Sequence, residues 1–279
     1  MKKTIVSLGF SSCPNDTFIF DAMIHHKIDT EELDFKITMA DVEELNKKAI
    51  NQELDVTKIS YHAFAYISDN YCLLDSGSAL GKNNGPLLIS KRKIYPDEIN
   101  DLKIAIPGKH TTANLLFSVA FPKAQNKIEY LFSDIEDVVL SNEVDAGLII
   151  HENRFTYEKK GLKKIVDLGE YWENETHSPI PLGGIAIKRN LEIDLQLKVN
   201  RVLRKSVEFA FNNPKSGYEY IKKNAQEMDE EVMYKHINLY VNNFSIDLGK
   251  EGRNAITILY EKATTLGIIK PINKQIFLT

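Results

Sequence analysis

Two stretches ninety residues apart repeat one local pattern. Asn51-Gln-Glu-Leu-Asp-Val-Thr-Lys-Ile-Ser60 and Ser141-Asn-Glu-Val-Asp-Ala-Gly-Leu-Ile-Ile150 each close a helix, turn on Glu-apolar-Asp and run into an apolar strand. Helix followed by buried strand, twice, is the signature of α/β units built on parallel strands. Each unit then delivers its next polar residue, Ser60 or His151, to the carboxyl end of a strand, the edge where open α/β sheets take ligands. A chain of 279 residues also exceeds the ordinary size of one core. The repeat therefore predicts two lobes with a cleft between them, and a site made by both.

The rest of the chain fits around the repeat. A strand at 4–9, a polar loop at 11–16 and an apolar helix from about Thr17 to His26, with Asp16 as N-cap, open the first lobe. A second strand near 33–39 and an amphipathic helix at 42–51 lead into the first repeat, and the alternation argues for a largely parallel sheet. A new strand at 103–106 enters Pro107-Gly-Lys-His-Thr-Thr-Ala113 and an apolar helix, so the second lobe is set at 91–189. The first lobe is then discontinuous, 1–90 and 190–279. Its second part reads as helices, at 195–211, 214–224 and 255–266, that pack back onto it. Gly183-Gly184 is either a hinge or a tight return into the first lobe.

Composition narrows the function class. A formal charge of −4 gives no long-range attraction for nucleic acid or an anionic membrane, so an anionic ligand has to be held by local groups. Cys13 and Cys72 are too few for a disulfide scaffold and are expected as reduced thiols. The apolar run near the start is shorter than a secretion signal, and no segment approaches the roughly 18 apolar residues of a bilayer span, so a cytoplasmic chain is expected. The histidines form no metal-ligand spacing, and Gly81-Lys-Asn-Asn-Gly-Pro86 lacks the spacing of a phosphate-binding loop. Nothing in the sequence specifies an oligomeric state.

The candidate site residues lie at strand ends and helix starts. Thr111 and Thr112 stand between a strand and a helix, where hydroxyls and backbone N–H groups can receive a carboxylate; capping of the helix by one Thr is equally compatible. His151 follows an apolar strand and is either a group that moves protons near neutral pH or a surface or hydrogen-bonded core histidine. Alternation puts Lys58 and Ser60 on one side of their strand, as groups facing the cleft or as an ordinary solvated strand end. Asn15 and Asp16 either bind substrate hydroxyls or only stabilise their turn. Tyr171 and Trp172 read as packing.

Taken in order, Ser12-Cys-Pro-Asn-Asp-Thr-Phe-Ile-Phe20, Val56-Thr-Lys-Ile-Ser-Tyr61, Pro107-Gly-Lys-His-Thr-Thr-Ala113, the segment from Gly147 to Tyr157, Pro181-Leu-Gly-Gly184 and Tyr240–Gly249 resemble the 1,4-dihydroxy-6-naphthoate synthase family over nearly the whole chain. The one departure is Ser11-Ser-Cys-Pro14, where the family commonly reads Ser-Pro-Cys-Pro. The resemblance implies a two-lobed fold like that of type II periplasmic binding proteins, with a ligand cleft. It implies conversion of cyclic dehypoxanthinyl futalosine to 1,4-dihydroxy-6-naphthoate with loss of a three-carbon fragment, in the futalosine route to menaquinone, without metal or organic cofactor. His151 matches the family's proton acceptor; Lys58, Ile59, Ser60, Thr112 and Ala113 match its ligand-binding positions. Chorismate dehydratase, a sibling in the same route, and a non-catalytic organic-anion-binding protein are the alternatives.

Overall fold

The computed structural model describes residues 3–225 and 229–279. Six strands form a first sheet: β1 (Thr4–Phe10), β2 (Leu33–Met39), β3 (Val56–Ser60), β4 (Tyr71–Leu73), β5 (Ala79–Gly81) and, after a long excursion, β11 (Ile180–Lys188). Their order is β2-β1-β3-β11-β4, with β5 also on β11. The second sheet holds β6 (Leu87–Ser90), β7 (Ile104–Ile106), β8 (Lys127–Glu129), β9 (Ala146–Ile149) and β10 (Lys163–Asp167), in the order β10-β6-β9-β7-β8.

Each sheet has a parallel heart, β2-β1-β3 in one and β8-β7-β9 in the other. Both are nevertheless mixed, which corrects the expectation of largely parallel sheets. β11 pairs antiparallel with β3 and begins where β3 ends, Gly183 opposite Ser60; β6 pairs antiparallel with β9, Leu87 opposite Ile149. A chain that crosses from one lobe enters the next at the cleft, against strands that finish there, so it must run the other way. The same pairing moves the expected boundaries at 91 and 189. Strand 87–90 belongs to the second sheet and strand 180–188 to the first, because the chain changes sheets between β5 and β6 and between β10 and β11.

The helices are α1 (Pro14–Ile24), α2 (Val42–Ile50), α3 (Tyr61–Ile67), α4 (Thr112–Ala120), α5 (Ile135–Leu140), α6 (Leu168–Thr176), α7 (Ile193–Asn212), α8 (Tyr218–Asn224), α9 (Glu230–Tyr240), α10 (Asn243–Ile246) and α11 (Gly249–Thr265). α1 begins earlier than expected, with Cys13 as its N-cap rather than Asp16. Pro14 explains the shift: a proline's fixed φ and missing N–H suit the first helical position. On α7 the buried residues Val199, Val202, Leu203, Ser206, Val207 and Ala210 make one stripe, packed on α1. α9 does more than pack onto the first lobe, since it also meets the 151–155 segment of the second. Trp172 is fully buried and donates Nε1–H to Pro179 O at 3.3 Å, a packing role as expected. Among the described residues no helix is long and apolar enough to cross a membrane.

Candidate active site

The carboxyl ends of β3 and β9 open on one partly enclosed cavity between the lobes, the kind of concave place where small-molecule sites form. His151, Lys58, Ile59, Ser60, Thr111, Thr112, Ala113 and Asn15, all singled out from the sequence, line it. Asp16, Asn84, Leu182, Gly183 and Tyr240 line it as well.

The first wall is a buried polar network. Asp16 sits in the first turn of α1, where Ser11 N–H (3.1 Å) and Oγ (2.7 Å) donate to one carboxylate oxygen. Asn15 Nδ2 (2.9 Å) and Lys58 Nζ (3.1 Å) share the other. An ammonium has three donors. Asp16 takes one and Gly77 O lies 3.4 Å away, which leaves the third for the cavity. Asn15 is therefore not simply a turn residue: its Oδ1 lies 2.9 Å from Nε2 of the fully buried His236. Because that oxygen can only accept, Nε2 carries the proton. Burial first, and then the proximity of His151 and Lys58, holds His236 well below the usual histidine range, so it is neutral at pH 7.

His151 stacks on this network. Its ring lies 6.0 Å from that of His236, nearly parallel, and meets the edge of Phe132 at 4.9 Å. Nδ1 is 3.4 Å from Cys13 Sγ, so the N-cap of α1 in one lobe touches the second residue after β9 in the other. The backbone of His151 has φ 58°, in the left-handed region. Strain of this kind persists where the surroundings over-determine the conformation, and it clusters at functional sites.

The opposite wall is the start of α4. Thr111 is committed to the protein: it caps α4, accepting from Asn114 N–H at 3.3 Å, and donates to Gly108 O at 2.8 Å. Thr112 Oγ1 donates to Leu182 O at 2.5 Å and accepts from His62 N–H at 3.3 Å. For both threonines the hydroxyl serves the fold. What α4 offers the cavity is the set of first-turn N–H groups at Thr112 and Ala113, which have no intrahelical acceptor. Ser60 differs. Asn46 Oδ1 receives its N–H and Asn46 Nδ2 donates to its Oγ, which leaves the hydroxyl proton available.

Contacts between the lobes hold these walls in place. Glu43 of α2 takes His110 N–H and faces His110 Nδ1 at 2.8 Å. His62 Nδ1 lies 3.2 Å from Thr111 O, and Tyr66 OH lies 3.2 Å from His62 Nε2, a pattern that suits a neutral ring. Burial chiefly lowers the His62 pKa from 6.5 to about 4. The folded protein thus binds this proton less readily than the unfolded chain, so the stability it carries is complete above about pH 6.5 and is lost as pH falls toward 4. The shift corresponds to about 3 kcal/mol, and His236 adds in the same direction. Urea midpoints at pH 7.5 and 4.5 should show this loss, and His62→Gln should flatten the difference.

Gly183 and Gly184 lie in β11, the strand by which the chain returns to the first sheet, paired with Ser60 and Ile59. Their lack of a side chain allows close approach, since a Cβ on Gly183 would sit 2.7 Å from Ile59 O and one on Gly184 2.8 Å from Tyr61 Oη. Gly183→Ala should push β11 from β3 at the cavity wall, raising KM at least about tenfold and lowering stability by about 1–3 kcal/mol, as steady-state kinetics and thermal unfolding would show.

Sequence reasoning passed over Cys13, His236, Tyr240 and Asn84 as site residues. His236 had a readable signal: Met233, His236, Ile237 and Tyr240 share the spacing of one buried helix face. That pattern marks burial without saying what is buried against it.

A family model described as menaquinone biosynthesis matches residues 6–265. The chain is 40% identical over 270 residues to the 1,4-dihydroxy-6-naphthoate synthase of Thermus thermophilus, covering 97% of this chain and 98% of that one. It is 38% identical over 275 residues to the protein of the same name from Streptomyces coelicolor, covering 96% of each. In fold alone, at 14% identity, it matches a Candida albicans gene product described as having the generic periplasmic binding protein structural fold, with TM-score 0.69 over 96% of this chain and 92% of the other. The two sheets, their shared cleft and this likeness make the fold a two-lobed, periplasmic-binding-protein-like one. A model spanning most of the sequence and two relatives matched almost end to end leave one conclusion: the chain belongs to the menaquinone biosynthesis family.

Proposed function

We propose that this chain is a lyase that converts cyclic dehypoxanthinyl futalosine to 1,4-dihydroxy-6-naphthoate, releasing a three-carbon fragment, as a cytoplasmic step of menaquinone biosynthesis. The observation that carries the reading is His151: a histidine on strained backbone at a strand end, braced by Cys13 and His236, in the same cavity as Lys58, Ser60 and the start of α4. Its family and the names of its two relatives support the same reaction.

His151 acts as the base. Nδ1 lies 3.4 Å from Cys13 Sγ; in the tautomer that carries its proton on Nδ1, Nε2 is the nitrogen that accepts a proton from the substrate. The neutral neighbour His236 adds no charge to oppose the imidazolium that forms. Loss of the proton sets off ring opening and carbon–carbon cleavage, and formation of the aromatic product supplies driving force. The N–H groups of Thr112 and Ala113 and the hydroxyl of Ser60 hold the substrate carboxylate, while the remaining donor of Lys58 meets charge that develops on oxygen. These groups are fixed before substrate arrives, so little reorganisation accompanies the reaction.

Anaerobic incubation of the metal-stripped protein with cyclic dehypoxanthinyl futalosine, followed by mass spectrometry, tests the reading. Appearance of 1,4-dihydroxy-6-naphthoate supports it. Dehydration of chorismate in its place, or binding of an organic anion without turnover, would overturn it.

A further inference from the structure

We infer that Asn84 is a substrate-binding residue of this cavity, and that it reads a hydroxyl of the ligand rather than its carboxylate. The inference rests on the proposed reaction for the identity of the ligand. Asn84 lies in the 82–86 connection by which the chain leaves the first sheet for the second, the Gly81–Pro86 stretch that has no phosphate-binding spacing. It lines the cavity and is fully buried. Neither Nδ2 nor Oδ1 has a hydrogen-bond partner among the described residues, and each exposes less than 1 Å2. A buried amide left in this way costs stability, and native proteins rarely keep one without a use for it.

The loop around it is held firmly. Asn83 N–H donates to Glu173 Oε1 at 2.7 Å, Arg154 donates to Gly85 O, and Leu168 N–H donates to Pro86 O at 2.9 Å. Gly85 packs so closely on Gly169 that a Cβ there would lie 2.3 Å from its backbone nitrogen. Gly81 leaves room on the other side, with a Cβ position 3.0 Å from Asn84 Nδ2. The backbone on both sides of Asn84 is thus held in place.

Its chemistry selects the partner. A carboxylate only accepts, so it would satisfy Nδ2 and leave Oδ1 facing another acceptor. A hydroxyl both donates and accepts and satisfies the pair. The carboxylate already has a better place, at the start of α4.

The test compares two ligands and three proteins. Dissociation constants of 1,4-dihydroxy-6-naphthoate and of 2-naphthoate, which keeps the carboxylate and lacks the hydroxyls, are measured by titration calorimetry for wild type, Asn84→Leu and Asn84→Ala. The dihydroxy ligand should weaken by about tenfold to a hundredfold in both variants, with 2-naphthoate changed less than about threefold. The free Asn84→Leu protein should melt at or above the wild-type temperature, since it loses an amide without a partner. Equal weakening of both ligands would overturn the inference in favour of carboxylate binding or cavity shape. Unchanged binding with a lowered melting temperature would overturn it in favour of a structural role. If wild type makes product from cyclic dehypoxanthinyl futalosine and either result is found, only Asn84 is at fault. If wild type neither turns over that substrate nor binds either naphthoate, the proposed reaction itself fails, and this inference with it.

Discussion

His151→Asn should lower kcat by about a thousandfold while KM moves less than about threefold. A positioned general base contributes roughly a hundredfold to ten-thousandfold, and asparagine keeps a polar side chain, close in size, that cannot take a proton at neutral pH. Asparagine also tolerates the left-handed backbone that His151 adopts at φ 58°. The variant therefore separates loss of the base from collapse of the strand end. Steady-state kinetics with product detected by mass spectrometry decides the matter, and near-wild-type kcat would remove His151 from the chemistry. Cys13→Ala refines the result. Its thiol touches Nδ1 at 3.4 Å and no reacting group is assigned to it, so it should shift the pH dependence of kcat more than the value at the optimum.

How much of this was legible beforehand follows from what each signal encodes. The repeat at 51–60 and 141–150 specifies hydrophobic period and turn chemistry, and those are local; they located β3, β9 and the strand ends that carry Ser60 and His151. Sheet membership is not local. Leu87–Ser90 looks the same from sequence whichever sheet it joins, and only its pairing with β9 shows that the crossing precedes it. The threonine pair shows a second kind of limit. A hydroxyl at a helix start predicts a capping residue and a ligand-binding residue equally well, and the deciding facts, Gly108 O and Leu182 O as acceptors, lie on other segments. Asp16 was readable as a polar residue at the start of a helix. Its partner Lys58, forty-two positions away, was visible only as a charge on an alternating strand.

That pair yields the second large effect. Lys58→Met should destabilise the fold by about 3–5 kcal/mol, the usual cost of breaking a buried ion pair by removing one partner. Lys58 and Asp16 are both buried, and Asp16 would keep its bonds from Ser11 and Asn15 but lose the only cation paired with it among the described residues. The cost comes from the stranded charge more than from the lost contact, so removing that charge as well should recover most of it. The double variant Lys58→Met, Asp16→Asn is therefore expected to lie within about 1.5 kcal/mol of wild type in urea unfolding, a strongly non-additive cycle. Activity should not return with stability. Neither methionine nor asparagine supplies the ammonium donor that faces the cavity, and kcat/KM of the double variant should stay at least about a hundredfold down. Additive stability changes would mean that the pair is not the energetic unit its 3.1 Å contact indicates. Restored activity would mean that Lys58 serves only to neutralise Asp16, and the charge that develops during cleavage would then fall to Ser60 and the start of α4.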